Sequence, residues 1–385
     1  MDNTINKRQK LNSFAFVFLI FTYSLTTIFS LVADQRMVII ITSLVVIGPI
    51  LLYNVKHLRI CVILALLFEL IILSILFVQK AIYSLNSDTI DEIILQLLGL
   101  GTISIMVGTL DVDSYYLEKN FSVLSIVCFF TSLIYLILIK GDFMLSMRFG
   151  YAMLPSSIWF LCLYIKNRKI GWLFLFFLTT LLLIVYGSRG TLICIALLLV
   201  LTAIKYRWWW VLFLSLLFVI FSGIFFQLLE LGLNWLANVS GSRKILGLLA
   251  MFQGDIMDAS SGRDILYDRC IQLFNDNPFG NGVGFWQNDP FMGGLYPHNI
   301  FLEIAVEFGV IGIFVLAIIL ILIIVRLFRL ERSSFFPYAA LISICFGRLM
   351  VSSVYWSRPE FWLVLSVFLF RLPRQRNFAN ISNPY

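Results

Sequence analysis

One histidine and two arginines have the residue types and positions for chemistry. His298 lies in a Pro-His-Asn sequence (297–299), where a polar loop meets a long apolar run. Imidazole titrates near neutral pH, which suits it to general-base catalysis. Arg189, within Gly-Ser-Arg-Gly (187–190), and Arg263, which follows a Ser-Gly pair, carry guanidinium groups that bind phosphate through two hydrogen bonds. The three residues suit transfer from a diphosphate donor to a hydroxyl that the imidazole deprotonates.

Each of these residues also has an ordinary structural interpretation. A single histidine is more often structural than catalytic, and Arg263 can belong to a solvated helix cap, with Ser260 or Ser261 as the N-cap. Arg189 can reach water from a turn, although an arginine at membrane depth costs about 2.5–3.5 kcal/mol and normally faces a partner or cavity. No nucleotide-binding loop, DxD-like metal pair or Ser-His-Asp set accompanies them. We therefore expect no metal and no cofactor.

Five further residues are predicted to support this site: Glu303, Glu307, Arg348, Tyr355 and Arg358. The two glutamates share one helical face, where they can orient the histidine, bind an arginine or serve as ordinary partners of Arg348. Tyr355 belongs to an aromatic group of the kind that anchors helices at a membrane interface and that can also stack on a sugar. Arg358 is included for its position alone.

The chain around these residues has the composition of a membrane protein. Of 385 residues, 61% are hydrophobic and 13% are charged, against roughly 45–50% and about 25% in soluble domains. A water-soluble core cannot hide this apolar excess, so lipid must solvate much of the surface. The net charge of +7 comes largely from short Lys and Arg clusters between apolar runs, which are typical of cytoplasmic loops and disfavour nucleic-acid binding.

Apolar runs near the length that crosses roughly 30 Å of hydrocarbon recur along the chain. The sequence predicts an all-α, polytopic bundle of about twelve transmembrane helices, at 13–32, 37–55, 58–78, 93–110, 121–139, 150–165, 170–187, 190–204, 208–229, 299–325, 335–354 and 359–372. Residues 1–229 hold the first nine, residues 230–298 form one large loop, and residues 299–385 hold the last three and a cytoplasmic tail.

The large loop is predicted to contain a short amphipathic helix from Gly262 to Asp276, which ends before Pro278. Its apolar residues recur at helical spacing and are expected to lie against the membrane face: Ile265, Leu266, Ile271, Leu273 and Phe274.

Lysine and arginine clusters set the orientation of the helices. If the N-terminus, with Lys7, Arg8 and Lys10, is cytoplasmic, the even-numbered turns return to the cytoplasm, and nearly all of these turns carry the clusters; the turn at 111–119 is the weak one. The positive-inside rule then predicts that both termini are cytoplasmic. The large loop and the three candidate residues share the opposite side of the membrane.

At these same residues the sequence resembles the bacterial O-antigen polymerase and O-antigen ligase superfamily. The matching elements keep one order around the large loop, at 187–190, 261–263, 277–284, 297–303 and 307–312. The resemblance implies a GT-C-like membrane fold. It also implies inverting, metal-independent glycosyl transfer from an undecaprenyl-diphosphate-linked glycan on the periplasmic side of the inner membrane. By motif, Arg189 and Arg263 would contact the diphosphate, and His298 would activate the acceptor.

Polymerases and ligases of this superfamily share that core. A polymerase joins a growing glycan to another lipid-linked repeat, whereas a ligase transfers it to lipid A-core. The complete motif at 187–190 and the run at 297–303 favour a polymerase. A flippase for the lipid-linked repeat is less favoured, because internal repeats and interrupted helices are not evident. The expected partners are undecaprenyl-diphosphate-linked oligosaccharides, the lipid bilayer and, for a polymerase, a chain-length regulator protein.

Overall fold

A computed structural model describes residues 2–31, 33, 35–55, 60–83, 87–138, 143–186, 190–210, 231–232, 234–235, 263–287, 289–292 and 294–370. All regular structure within these ranges is helical, and no strand occurs in them. The all-α class is confirmed for this part of the chain.

The helices follow one another with mostly short connections. The first nine are α1 (Asp2–Thr26), α2 (Gln35–Asn54), α3 (Ile60–Tyr83), α4 (Ser87–Gln96), α5 (Thr102–Thr109), α6 (Ser114–Leu138), α7 (Phe143–Asn167), α8 (Ile170–Tyr186) and α9 (Gly190–Tyr206). The later helices are α10 (Arg263–Asp276), α11 (Ile300–Arg329), α12 (Arg332–Leu349) and α13 (Pro359–Leu365). A π-helical turn, Leu97–Gly101, joins α4 to α5.

Several helices are suited to a lipid environment. Among the described residues, six helical stretches are long and apolar enough to cross a membrane, over Ile5–Phe29, Met37–Asn54, Val62–Gln79, Asp91–Thr109, Ser114–Leu138 and Ile300–Arg329. Leu52 of α2 is 74% exposed and Ile137 of α6 is 76% exposed, as expected of side chains that face lipid. The chain is therefore a membrane-embedded helical protein. The count of twelve spans stays a prediction, because the run at 208–229 lies almost wholly outside the described residues.

Helix α12 is the most enclosed part of the bundle. Every residue from Phe335 to Leu349 is buried, and the helix packs against α6, α7, α9, α11 and α13. Gly347 lies directly against Cys194 of α9, where the absence of a side chain lets the two backbones approach. This packing carries Arg348, in the last turn of α12, into the protein interior.

The glycine-rich segment at 277–284 is fixed to a break in α11. Gly309 has φ 63 and ψ −151, so the helical hydrogen-bond pattern is interrupted there. The carbonyl of Val306 loses its usual partner four residues on and instead accepts a hydrogen bond from the N–H of Asn281, at 2.8 Å. The loop thus satisfies a backbone group that the break exposes.

Val310, the first residue after the break, also bonds to the loop. Its N–H donates to the carbonyl of Pro278 at 2.9 Å, rather than to the helix. Glycine is needed at position 309 because φ is positive and the Pro278 carbonyl occupies the place of a side chain. The recurrent glycines of the loop and of α11 therefore have a structural role: they let two backbones interlock.

Helix α10 runs from Arg263 to Asp276, which confirms the helix predicted in the loop. It packs on α11 through three buried residues at helical spacing, Leu266, Cys270 and Leu273. The expectation that its apolar residues lie against the membrane is wrong for Leu266 and Leu273, which are buried against α11 instead. Ile265 and Ile271 are 54% and 49% exposed, and their contact with the membrane stays a prediction.

An ion pair fixes the loop beyond α10. Arg269 Nη2 lies 2.6 Å from Asp289 Oδ2, and Asp289 Oδ1 accepts hydrogen bonds from the N–H groups of Phe291 and Met292, both at 3.0 Å. Burial raises the pKa of the Asp289 carboxyl, but the hydrogen bonds from Arg269 and the two N–H groups outweigh it, so the pKa lies below its ordinary value. The folded loop therefore stabilises the ionised carboxylate.

Candidate functional site

A cavity of 240 Å³ with a mixed polar and apolar lining lies at one end of the helix bundle, which we call the cavity end. Its walls come from α1, the start of α2, the end of α4, the residues before α11 and the linker between α12 and α13. The polar lining includes Tyr23, Gln96, Tyr296, Ser353, Arg358 and Glu360. The cavity thus joins segments that are far apart in the sequence.

Arg348 is buried close to this cavity. Its Nη1 lies 3.2 Å from Glu360 Oε1, and the two side chains are 2% and 3% exposed. The guanidinium also contacts two aromatic rings, 4.7 Å from the centroid of Tyr23 and 4.8 Å from that of Tyr151. Its Nε and Nη2 have no hydrogen-bond partner among the residues that the structure describes. The cation is therefore held by one carboxylate and two rings.

Arg358 is the second cation of the cavity end. It lies in the cavity wall directly before Pro359, the first residue of α13, with its guanidinium 5.7 Å from the Tyr23 ring. Burial lowers the pKa of Arg358 and the charge of Arg348 lowers it further, yet a guanidinium keeps its charge at neutral pH. Within the described chain its Nε has no hydrogen-bond partner, so part of its donor capacity is open.

Glu307 connects the glycine-rich segment to the linker that carries Arg358. Its Oε1 accepts a hydrogen bond from the N–H of Gly284 at 2.7 Å, and its Oε2 accepts one from the hydroxyl of Tyr355 at 2.9 Å. Burial raises the pKa of Tyr355, and the charges of Glu307 and Glu303 raise it further, so this hydroxyl is a neutral donor. Glu307 therefore holds two segments of the cavity end in place.

Glu303 lies one helical turn before Glu307 and is fully buried. It faces the backbone N–H of Tyr355, although neither carboxylate oxygen completes a hydrogen bond within the described ranges. The interpretation of these glutamates as partners of Arg348 is wrong, because the structure pairs Arg348 with Glu360. Their orienting effect on the histidine stays a prediction.

His298 lies immediately before α11, beside the cavity. Its φ of 56 is positive, an uncommon conformation in which histidine is enriched among non-glycine residues. Asn299 follows as the N-cap of α11, and its side chain accepts hydrogen bonds from the N–H groups of Phe301 and Leu302. The His298 ring centroid lies 3.9 Å from that of Tyr296, a cavity-lining residue. The imidazole is thus one side chain away from the cavity.

The two predicted diphosphate ligands are described less completely. Arg189 lies outside the described residues, but the next residue, Gly190, begins α9 against Tyr151 and Val351. The start of α9 is therefore at the cavity end. Arg263 begins α10, and its side chain lies outside the described part. Contact of the two guanidinium groups with a diphosphate stays a prediction.

Several residues of the cavity lining were not predicted, among them Tyr23, Gln96, Tyr296, Ser353 and Glu360. Glu360 could have been found, because a carboxylate in the last apolar run needs a partner and Arg348 is a cation in the run before it. Tyr23 and Tyr296 give no comparable signal, since tyrosines at helix ends are common at membrane interfaces.

The helices and the cavity together define a multi-span membrane protein with a buried arginine–glutamate pair beside a cavity of mixed lining. Residues 174–317 match the family model described as O-antigen ligase. This match confirms the resemblance to the O-antigen polymerase and ligase superfamily, whose members are glycosyltransferase-like enzymes. No curated protein matches the chain, and no solved structure matches it.

Proposed function

We propose that this protein is an O-antigen polymerase, an inverting glycosyltransferase that joins undecaprenyl-diphosphate-linked oligosaccharide repeats. The observation that carries the proposal is the position of His298: it lies within the segment that matches the family, and its ring contacts a residue of the cavity. A base beside a cavity that can receive hydroxyl groups is what glycosyl transfer without a covalent intermediate requires.

The proposed reaction is a single displacement. The His298 imidazole removes the proton from an acceptor hydroxyl, and the oxygen attacks the anomeric carbon of the donor sugar opposite the diphosphate. The carbon–oxygen bond to the diphosphate breaks, and undecaprenyl diphosphate leaves with the electron pair. Arg189 and Arg263 hold the diphosphate and stabilise its developing charge.

The reaction is proposed to take place on the periplasmic side of the inner membrane, in a bundle of about twelve spans with both termini cytoplasmic. The positions of several basic residues support this orientation. Lys166, Lys205 and Arg326 lie at the ends of α7, α9 and α11, whereas His298 and Gly190 lie at the starts of α11 and α9. A chain-length regulator is the proposed protein partner.

Ligase activity is the second candidate, because the matching family model is described as O-antigen ligase. Deletion of the gene separates the two functions. Loss of a polymerase leaves lipid A-core capped with a single repeat, whereas loss of a ligase leaves lipid A-core uncapped and repeats stranded on undecaprenyl diphosphate.

The site assignment is tested by His298→Ala and Arg189→Ala in cells lacking the native gene. We expect both variants to insert in the membrane and to abolish chain extension, because one removes the base and the other a diphosphate ligand. His57→Ala, which changes the other histidine of the chain, is the control and should keep full-length polysaccharide. Full-length product from both site variants would show that the assignment is wrong.

A further inference from the structure

The cavity at the end of the bundle has a lining that no step of the proposed reaction uses. Several of its polar atoms are buried and have no hydrogen-bond partner within the described ranges, namely Ser352 Oγ, Ser353 Oγ, Arg358 Nε and Glu360 Oε2. Buried polar groups are normally satisfied, and an unsatisfied set within the wall of one cavity favours a polar ligand there.

The charge of the lining argues against a diphosphate in this cavity. Glu360 is the carboxylate of the lining but is paired with Arg348, so Arg358 leaves the cavity one net positive charge. A diphosphate needs several cations and would be repelled by a carboxylate beside it. The lining therefore suits a ligand of low charge that can both donate and accept hydrogen bonds.

The donor and acceptor types match the hydroxyl groups of a sugar. Serine hydroxyls and the Gln96 amide can donate and accept, the Glu360 carboxylate accepts, and the Arg358 guanidinium donates. Tyr23 and Tyr296 add two aromatic rings to the same wall, and aromatic rings pack on apolar groups. Two groups of the polar wall already have partners. The Tyr296 hydroxyl donates to the Ser352 carbonyl at 2.6 Å, and Gln96 Nε2 donates one hydrogen to Glu92 Oε1 at 3.1 Å, which leaves the Gln96 carbonyl oxygen and its second N–H for a ligand.

The size of the cavity limits what can enter. Its 240 Å³ lies below the roughly 300–1,000 Å³ of pockets that enclose drug-sized ligands. A volume of this size suits a single sugar ring, and the rest of an oligosaccharide repeat would extend out of the cavity. The ring would lie beside Tyr296, and thus next to the His298 imidazole.

We infer that this cavity is a sugar subsite, which holds one ring of the lipid-linked glycan through the Gln96, Ser353, Arg358 and Glu360 side chains. The inference rests on the proposed glycosyl transfer, and it assigns glycan recognition to the end of α4 and the α12–α13 linker. The diphosphate is bound elsewhere, by Arg189 and Arg263. Binding of the sugar and binding of the diphosphate are then separable.

Two binding probes test this separation with the full-length protein in lipid nanodiscs. One is undecaprenyl diphosphate without sugar, and the other is the lipid-linked repeat extracted from cells lacking this gene. We expect Ser353→Val and Gln96→Leu each to weaken binding of the repeat by about tenfold, as loss of a hydrogen bond at a buried site does. Binding of undecaprenyl diphosphate should stay unchanged.

The matched control is Ser343→Val, the same substitution at a buried serine of α12 that is not part of the cavity lining; it should change neither affinity. If Ser353→Val and Gln96→Leu leave repeat binding intact, or weaken both probes equally, the sugar subsite is wrong. If the unaltered protein binds neither probe, the proposed function itself fails, which is a distinguishable result.

Discussion

The two ends of the helix bundle use charged residues in different ways. At the end opposite the cavity, Lys166 lies 2.5 Å from Glu118, with side chains 38% and 22% exposed. Lys205 donates to the carbonyls of Phe328 and Leu330 at 2.9 and 2.6 Å. At the cavity end, Arg348 and Glu360 are almost inaccessible and keep unpartnered atoms within the described chain.

The comparison distinguishes two roles of charged residues: some orient a protein in the membrane, and others form part of a functional site. Cations that orient the protein remain near water, where their charge is solvated and costs little free energy. A charge in the interior must be held by partners at considerable cost, which natural proteins accept chiefly where the charge has a function. The location of buried charge is therefore a better guide to the site than the number of basic residues.

The largest effect is expected from Glu360→Ala, which leaves Arg348 buried without its carboxylate. Removing one partner of a buried pair costs about 3–5 kcal/mol, whereas Glu118→Ala at the exposed pair should cost at most about 1 kcal/mol. Thermal unfolding of the two variants in detergent measures the contrast. The double variant Arg348→Met/Glu360→Leu should recover most of the lost stability. Equal unfolding temperatures for the two single variants would remove the distinction between the ends.

An intermediate effect is expected from Gly309→Ala at the break in α11. Alanine must adopt a positive φ and meets the carbonyl of Pro278, so we expect a loss of about 1–3 kcal/mol and release of the glycine-rich segment. Protease cleavage within 277–284 reports the release. Gly48→Ala in α2 is the control, because open space surrounds that position, and it should be neutral or slightly stabilising. If the glycine-rich segment resists protease cleavage in both variants, the hydrogen bonds between this segment and the break in α11 are not what holds it in place.

The smallest effect is expected from pH, through Asp289 in the loop. Its pKa in the folded protein lies below the unfolded value of about 3.9, so its contribution to stability is fully present above that value. The contribution is lost as the pH falls through the folded pKa. Hydrogen-exchange protection of the Phe291 and Met292 N–H groups should decrease in this acid range. Asp289→Asn should remove the pH dependence, and a decrease that persists in this variant would assign it to another group.

Local patterns predicted much of the fold. Apolar runs indicated the long helices, and capping and spacing signals placed α10 within one residue of its observed start. Such features depend on neighbours in the sequence, so periodicity and turn residues are sufficient to find them. The glycines at 280, 282 and 284 were recognised as a motif, but their positive φ values and their contact with α11 required the folded backbone.

Contacts between segments far apart in the sequence could not be predicted from local patterns. Helical spacing drew attention to Glu303 and Glu307 as candidate partners of Arg348, because the two share one face of a helix. The observed partner, Glu360, reaches Arg348 only because the α12–α13 linker folds back. The cavity is likewise assembled from Tyr23 and Glu360, at opposite ends of the chain.

The break at Gly309 also resolves a mismatch of length. Helix α11 has 30 residues, or about 45 Å at about 1.5 Å per residue, which exceeds the roughly 30 Å of a hydrocarbon core. Residues 310–329 alone supply about 30 Å. The first part of α11, with both buried glutamates, is thus additional to the length that the hydrocarbon requires, and it is hydrogen-bonded to the glycine-rich segment. One helix therefore supplies both a membrane span and a separate support for the loop.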